Sequence, residues 1–405
     1  MRSSAEPVPR AAWLALGAAS LGWMLDAFDV MLYAFALTAI RDEFHLSAAS
    51  AGALASVTLV ASAAGGIAFG ALADRIGRVR ALTLSILVYA VATGLTATSR
   101  SIAELVLWRT CVGIGLGGEW SAGSVLVAES WPAARRGSAI GLMQSGWSIG
   151  YALAAVVSAV IIPAHGWRAL FAVGVAPALL TFAIRRWVRE PVAARDAAPE
   201  ARVGLALLTR PPYRSRVAVA TTLATAMLFA YWGLFTWIPT FLAAPVAQGG
   251  AGLGLVRGTG FILAMQAGAF AGYTTFGALA DRVGRRPAVR GFVFGAAVIV
   301  PAFALGSPGP ARLWALAPAI GALGSGAFSV FGSLLAELFP RAIRGTAQGL
   351  CYNAGRAVSA AAPYTLGAVA DARGLAGALV VTSAFYAAAG IVVGFLPETK
   401  GAELS

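Results

Sequence analysis

Five ionisable side chains interrupt the longest apolar runs of this 405-residue sequence. They are Asp26, Asp29, Arg109, Glu119 and Arg356. A charged side chain at the centre of a membrane costs about 2.5–3.5 kcal/mol on insertion scales, so such residues face a protein interior, pair with each other or meet a ligand. These five residues are therefore the first candidates for chemistry in the chain.

Two of the five are acids on what should be one helix. Asp26 and Asp29 are three residues apart, which places both carboxyl groups on the same helical face. Two carboxylates in an apolar cavity cannot easily both ionise, so at least one of them should hold a proton. A group that binds and releases a proton inside a membrane is what a proton-coupled carrier requires. Glu119 is a second candidate proton site, and a structural ion pair accounts for it equally well.

Arg356 is the candidate receptor for an anion, because a guanidinium group binds a carboxylate through two parallel hydrogen bonds. Tyr352 lies one turn away on the same helical face, and Asn353 flanks it. We predict that these three residues bind the carboxylate of a substrate. The alternative is an ion pair between Arg356 and an acid in another helix. Three weaker candidates complete the predicted binding site: Gln144, Trp147 and Tyr231.

The composition shows what positions these residues. The chain is 59% hydrophobic and 12% charged, whereas a soluble domain has about 25% charged residues. Its apolar runs are near the roughly 20 residues that cross a bilayer, and in lipid they must be helices. There are twelve runs, at about 12–39, 48–72, 79–98, 102–127, 137–162, 167–187, 216–243, 257–280, 288–306, 312–336, 346–369 and 374–396. The sequence therefore predicts an all-α polytopic membrane protein with twelve transmembrane helices.

A polar segment rich in proline and arginine separates the sixth run from the seventh. It predicts an N-terminal six-helix bundle over residues 1–187, a cytoplasmic linker over 188–215 and a C-terminal six-helix bundle over 216–405. Basic residues concentrate in the linker and in alternate loops, such as 75–80 and 282–290. The positive-inside rule then places both termini in the cytoplasm of a multi-pass plasma (inner) membrane protein.

Two loop sequences each occur twice in the chain. Residues 70–78 read GALADRIGR and residues 277–285 read GALADRVGR, 207 positions later. The stretch from Glu129 to Gly137 recurs from Glu337 to Gly345, 208 positions later. Two loops that repeat at nearly one offset predict that the two six-helix bundles are pseudo-symmetric copies in the same orientation.

These loops, and the pattern Arg109-x-x-x-Gly113-x-Gly115-x-Gly117, resemble the signatures of the major facilitator superfamily. Four further stretches resemble its sialate and monocarboxylate proton-symporter branch and the related aromatic-acid proton symporters. These are Trp23-x-x-Asp26-Ala-Phe-Asp29, Gly117-Gly-Glu119-Trp120, Gln348-Gly-x-Cys351-Tyr352-Asn353-x-Gly-Arg356 and Pro397-Glu-Thr-Lys-Gly401. The resemblance covers essentially the whole chain.

The resemblance implies roles for several residues. An acid of the first helix commonly faces the arginine of the fourth, which implies that Asp29 pairs with Arg109; the alternative is a static salt bridge. Together with Asp26 and Glu119, these two are the predicted proton-coupling residues. The doubled loops are implied to latch the two halves in the outward-facing state, rather than only to anchor the topology. The latch residues are Gly70, Asp74, Arg75, Gly77, Arg78, Gly277, Asp281, Arg282, Gly284 and Arg285.

The function predicted from these features is secondary active transport of a small organic anion, a carboxylate, together with protons by alternating access. A sugar or polyol proton symporter and a drug efflux carrier are alternatives on the same fold, and a non-transporting membrane sensor is a remote one. The sequence predicts no enzymatic activity, cofactor or metal site. The net charge of +13 is explained by the basic loops without nucleic acid. The predicted partners are the anion, protons and the bilayer, and a monomer suffices.

Overall fold

The computed structural model is helical throughout the part of the chain that it describes, residues 8–131, 136–179, 207–305, 309–329, 331–340 and 343–400. Most of the predicted linker lies outside these ranges, so the proposed domain boundaries stay a prediction. The α-helices of these ranges are α1 Arg10–Phe44, α2 Ala48–Ile76, α3 Arg78–Thr96, α4 Ile102–Ser130, α5 Arg136–Val173, α6 Tyr213–Ala243, α7 Gly254–Val283, α8 Arg285–Ala304, α9 Pro310–Ser325, α10 Phe331–Glu337, α11 Arg344–Ser359 and α12 Ala362–Val392.

Six stretches of the described chain are long and apolar enough, by length and composition, to cross a membrane. They are Arg10–Phe44, Ala48–Phe69, Ser138–Val173, Tyr213–Ala243, Arg285–Ala304 and Thr346–Phe395. The last contains 50 residues, enough for two crossings of about 20 residues. The third contains 36 residues, which are the fifth crossing and the start of the sixth; the remainder of the sixth lies outside the described residues. With α3, α4, α7 and the α9–α10 pair, they make up the twelve-helix architecture predicted from the sequence.

Glycines divide the two longest stretches. Gly166 interrupts α5 and Gly374 interrupts α12, and each has a φ of 77°. This left-handed conformation is strained for residues with a Cβ atom and open to glycine. The two glycines are 208 residues apart, which is the offset of the duplicated loops. The repeat seen in the sequence is therefore also a repeat of backbone geometry.

Two predicted crossings differ from the continuous helices expected. The tenth is broken by a 3₁₀ turn at Gly326–Ser329, where Gly326 packs closely against Gly272 of α7 and Phe292 of α8. The eleventh is divided between α11 and α12, because Pro363 lies in the first turn of α12 and has no N–H with which to continue the preceding helix. Hydropathy detects neither break, because the residues on both sides remain apolar.

Within each half, the helices approach closely through small residues. In the first half, α2 packs on α4 and α1 on α5; in the second, α7 packs on α9 and α6 on α12. A Cβ atom on Gly113 or Gly117 of α4 would collide with the carbonyl oxygens of Thr58 and Ser62 in α2. The glycine run of α4 therefore permits close helix packing, as is common in membranes.

The bundle has two ends, named here by the residues they carry. The motif end carries Gly77 and Gly284 between consecutive helices, and the far end carries the start of α2 and Asp371. At the far end the halves are joined: the carboxylate of Asp371 accepts hydrogen bonds from the backbone N–H groups of Ala48 (2.9 Å) and Ala49 (2.8 Å). The same region is packed by Gly367, whose Cβ position would collide with the carbonyl of Ala48.

Candidate functional site

The two acids of α1 are fully inside the protein. Asp26 is 1% exposed and Asp29 is 0% exposed. One oxygen of Asp29 accepts a hydrogen bond from the hydroxyl of Thr93 in α3. The second oxygen of Asp29 and one oxygen of Asp26 have no hydrogen-bond partner within the described chain. Both carboxyl groups thus retain capacity to accept a bond or hold a proton.

Arg109 of α4 lies within electrostatic range of Asp29. Their charges interact, but no contact within 4.0 Å joins them in the described residues. The Nε of Arg109 instead donates to the hydroxyl of Thr58 in α2 at 3.2 Å, and its guanidinium lies 5.0 Å from the ring centroid of Tyr33. Its Nη1 is buried without a hydrogen-bond partner among these residues. Asp29 and Arg109 therefore form a loosely coupled pair rather than a closed salt bridge.

Arg356 of α11 is buried in the second half, 7% exposed. It interacts electrostatically with Asp26 of the first half and with the neighbouring Tyr352. Its Nε has no hydrogen-bond partner in the part of the chain described. The predicted anion receptor and one predicted proton site therefore lie together across the interface between the halves, which the alternative of an interhelical ion pair also anticipates.

Asn353 and Tyr352 also reach this interface. The Oδ1 of Asn353 lies 3.5 Å from the position that a Cβ atom on Gly66 of α2 would take. The ring of Tyr352 lies 6.2 Å from that of Phe331 in α10, measured between centroids. Both side chains are half-buried. The α11 face predicted to bind substrate thus lies opposite the first half.

A continuous aromatic cluster connects the halves. Trp147 of α5 contacts Trp23 of α1, with ring centroids 4.7 Å apart, and Trp232 of α6, at 5.8 Å. Tyr231, also on α6, lies 6.4 Å from Trp147 and 5.4 Å from Phe328. We call Trp23, Trp147, Tyr231, Trp232 and Phe328 the aromatic bridge. Its rings pack against one another, and Trp232 also lines a small cavity together with Arg109.

Gln144 lies one turn before Trp147 on α5 and is 8% exposed. Its side-chain oxygen has no hydrogen-bond partner within the described ranges. Sequence reasoning therefore selected three residues of one buried region, Gln144, Trp147 and Tyr231. It gave no role to Phe328, because a phenylalanine in an apolar run carries no signal that separates membership of this aromatic cluster from ordinary packing.

The second duplicated loop forms its contacts inside the second half. Arg285 pairs with Asp281 and donates to Glu337 at 3.3 Å. Gly284 has a φ of 106°, so the turn requires glycine, whereas a Cβ atom on Gly277 would meet open space. The backbone carbonyl of Arg282 accepts a hydrogen bond from the Lys400 ammonium at 2.7 Å. These contacts brace one half; the latch role of the loop stays a prediction.

The first duplicated loop is described in less detail. Gly77 has a φ of 95°, close to that of Gly284, and Arg75 is exposed. The side chains of Asp74 and Arg78, and the surroundings of Gly70, lie outside the described residues. Glu119 falls within α4, but its side chain also lies outside them, so its proton-coupling role is neither supported nor contradicted.

Comparison with known proteins places the chain in a family. Residues 19–363 match the model of the "Major Facilitator Superfamily". A "Probable 4-methylmuconolactone transporter" from Cupriavidus pinatubonensis is 33% identical, covering 94% of this chain and 89% of its own. The "Cis,cis-muconate transport protein" of Acinetobacter baylyi is 31% identical, covering 94% and 93%.

Solved structures share the fold. The inward-open structure of the xylose transporter XylE from E. coli superimposes with a TM-score of 0.76 at 18% identity, covering 97% of this chain and 98% of that one.

Proposed function

Because the chain belongs to the Major Facilitator Superfamily, we propose that it is a symporter that carries a small, flat organic carboxylate together with protons. That it is a transport protein and not an enzyme follows from the family itself. The nature of the substrate and the coupling to protons are the proposed parts. Alternating access between the two halves is the mechanism expected of this architecture.

The observation that carries the proposal is Arg356, a buried cation at the interface between the halves whose Nε has no hydrogen-bond partner among the described residues. Leaving such a group without a strong partner is costly, and an incoming carboxylate would supply that partner through charge-assisted hydrogen bonds. The aromatic bridge provides apolar walls that suit a planar acid. The muconate and methylmuconolactone named for the two relatives are small unsaturated compounds of this kind.

Proton coupling rests on Asp26 and Asp29. When the substrate carboxylate binds Arg356, it brings a second negative charge close to Asp26, and a protonated Asp26 removes the repulsion. Binding of the anion and binding of a proton would then favour each other. We further propose a monomer in the inner membrane with both termini cytoplasmic, in agreement with the basic residues of alternate loops.

The test is uptake into proteoliposomes that contain the purified protein. The probes are radiolabelled cis,cis-muconate and benzoate, with D-xylose and a cationic dye as the alternatives. An inward proton gradient should drive the acids above their equilibrium level, and a protonophore should abolish that accumulation. Accumulation of xylose but not of either acid would instead favour the sugar symporter. Failure to accumulate any acid contradicts the proposal.

A further inference from the structure

A small cavity separates Arg109 from the second half of the protein. It has a volume of about 20 Å³, and its walls include Tyr33, Thr58, Arg109, Trp232 and Thr236. The first three come from the first half, and the last two come from α6 of the second half. A carboxylate substrate does not fit this volume, whereas one water molecule needs about 10–15 Å³.

The polar atoms around the cavity match a water molecule. Arg109 and Trp232 line it, and each carries a buried N–H donor, Nη1 and Nε1 respectively, without a hydrogen-bond partner within the described residues. A water oxygen accepts two hydrogen bonds, one for each of these donors. The two hydrogens of the water can be donated to hydroxyl oxygens, and Thr58 and Thr236 line the same cavity. A site with enough room and two to four polar partners is where a buried water is expected.

We propose that this cavity binds one water molecule that joins Arg109 to Trp232 and thereby transmits the protonation state of Asp29 to the second half. The coupling part rests on the proposed proton symport; the water site does not. Trp232 is a positioning residue in this scheme. It also belongs to the aromatic bridge, because its ring lies 5.8 Å from that of Trp147.

The direction of the effect follows from charge. The titratable groups that face Arg109 are Asp29 and Tyr33, both on α1; α2 contributes Thr58, and α3 contributes Thr93 through Asp29. An ionised Asp29 attracts the guanidinium of Arg109 towards α1. A protonated Asp29 releases that attraction, so the guanidinium binds the water and, through it, Trp232 more strongly. Protonation in the first half therefore favours closure against the second.

The first arm of the test is structural and independent of transport. A cryo-electron microscopy map of the purified protein, at a resolution that shows ordered waters, should have a peak within hydrogen-bond distance of Arg109 Nη1 and Trp232 Nε1. Well-resolved side chains with no peak between them would overturn the water site. This arm gives its answer even if no acid is transported, so it separates failure of the water site from failure of the proposed function.

The second arm measures coupling with cis,cis-muconate and benzoate in proteoliposomes. Trp232→Phe keeps the aromatic ring and removes the N–H, so the ratio of accumulation under an inward proton gradient to counterflow exchange should fall about tenfold, whatever the change of ring does to substrate binding. Thr236→Val keeps the side-chain volume and removes the hydroxyl, so it should lower the same ratio by a smaller factor. It replaces Trp232→Phe as the test variant if Trp232→Phe folds poorly.

The matched control is Trp237→Phe, also on α6, whose indole N–H donates to the carbonyl of Pro363 at 3.1 Å, away from the cavity. It should leave the ratio of accumulation to counterflow unchanged. The coupling role is overturned if Trp232→Phe accumulates the probes as well as the parent does. It is equally overturned if counterflow falls in proportion to accumulation, or if the control reproduces the defect.

Discussion

At the far end, the two halves differ in the contacts that hold the turn between their last two crossings. Each has a left-handed glycine between consecutive crossings, Gly166 in the first half and Gly374 in the second. Next to Gly166, Arg168 donates two hydrogen bonds to Glu43, at 2.7 and 2.8 Å. Next to Gly374, the backbone N–H of Ala376 donates to the carbonyl of Gly249, in the loop after α6, at 3.1 Å. Side chains fasten the first junction, and the backbone fastens the second.

The buried charges differ in the same way. The repeat offset of 207 aligns Arg109 with Leu316 and Asp29 with Thr236, and the offset of 208 aligns Arg356 with Ser148. The duplicated fold thus carries chemistry that is not duplicated: the acids lie in the first half, and the candidate anion receptor lies in the second. In the proposed symport, the proton and the anion would therefore be bound by different halves.

The largest effect is expected from Asp29→Asn, which tests whether the first half is the proton-sensing half. The amide cannot exchange a proton, so accumulation driven by the proton gradient should be abolished, while counterflow exchange continues. Uptake of cis,cis-muconate into proteoliposomes measures both. Asp42→Asn, an exposed acid on the same helix, is the control and should behave as the parent. Full accumulation by Asp29→Asn would remove Asp29 from the coupling mechanism.

The next largest effect concerns the anion receptor of the second half. Arg356→Ala removes charge-assisted hydrogen bonds worth about 1.5–3 kcal/mol each, so affinity for the transported acid should fall roughly ten- to a hundredfold. Arg356→Lys keeps the positive charge but cannot form two parallel hydrogen bonds to one carboxylate, so it should recover part of the lost affinity.

Equilibrium binding measured by isothermal calorimetry reports these affinities. Ser148→Ala alters the aligned position in the first half, where the hydroxyl bonds only to its own helix, and should leave affinity unchanged. If Arg356→Ala binds the acid as tightly as the parent, Arg356 is structural and the halves do not divide the two cargoes.

A smaller effect is expected from Arg168→Ala, which removes the side-chain junction of the first half. Arg168 also donates to the carbonyl of Ser99 at 2.8 Å and stacks 4.2 Å from the ring of Trp167, but it is 40% exposed. Because solvent screens such pairs, we expect a loss of roughly 0.5–1 kcal/mol, measured as a lower thermal midpoint in detergent. Gln248→Ala, at the backbone junction of the second half, should leave the thermal midpoint unchanged. If both variants lower the midpoint equally, the two junctions are not held by different kinds of contact.

The smallest effect concerns Glu398 at the motif end of the second half. Burial alone would raise the pKa of its carboxyl, but hydrogen bonds from the backbone N–H groups of Arg285, Arg286, Thr399 and Lys400 outweigh it and hold that pKa below its ordinary value. The carboxylate therefore stabilises the start of α8 above the ordinary carboxyl pKa. That stabilisation is lost as the pH falls through the lowered value.

Hydrogen exchange of the amides of Arg285 and Arg286, followed by mass spectrometry, checks this prediction. Glu398→Gln should speed their exchange about two- to fivefold at neutral pH, in line with an exposed charge contact. The difference between the variant and the parent should shrink as the carboxyl of the parent is protonated. A difference that is independent of pH would show that the charge of Glu398 is not what holds α8.

Much of the fold could be predicted because it depends on features of short stretches of sequence. Twelve apolar runs gave the crossings, and a duplicated loop gave the repeat, which the matching geometry of Gly77 and Gly284 shows in the backbone. The breaks at 326–329 and before Pro363 were missed because they depend on contacts with other helices and on one proline within an apolar run.

The candidate site was predictable in its charges and less so in its partners. Asp29 and Arg109 were placed together through the resemblance, and a charge in an apolar run is visible at once. That Arg356 interacts with Asp26, or that Trp232 contacts Trp147 and lines a cavity with Arg109, depends on how the two halves meet. Helical periodicity carries no information about that contact, since it describes one helix at a time.

The Asp371 contact at the far end has a consequence for turnover. Its carboxylate holds the first backbone N–H groups of α2, which no helical carbonyl can satisfy, and these groups lie at the edge of the apolar region. In the proposed alternating-access cycle the halves would separate there. Water would then reach both the N–H groups and the carboxylate and replace each lost bond at nearly equal strength. The same contact placed in lipid would have no such replacement. The two hydrogen bonds of Asp371 are therefore ones that solvent can replace, so they add little to the free energy needed to part the helix ends there.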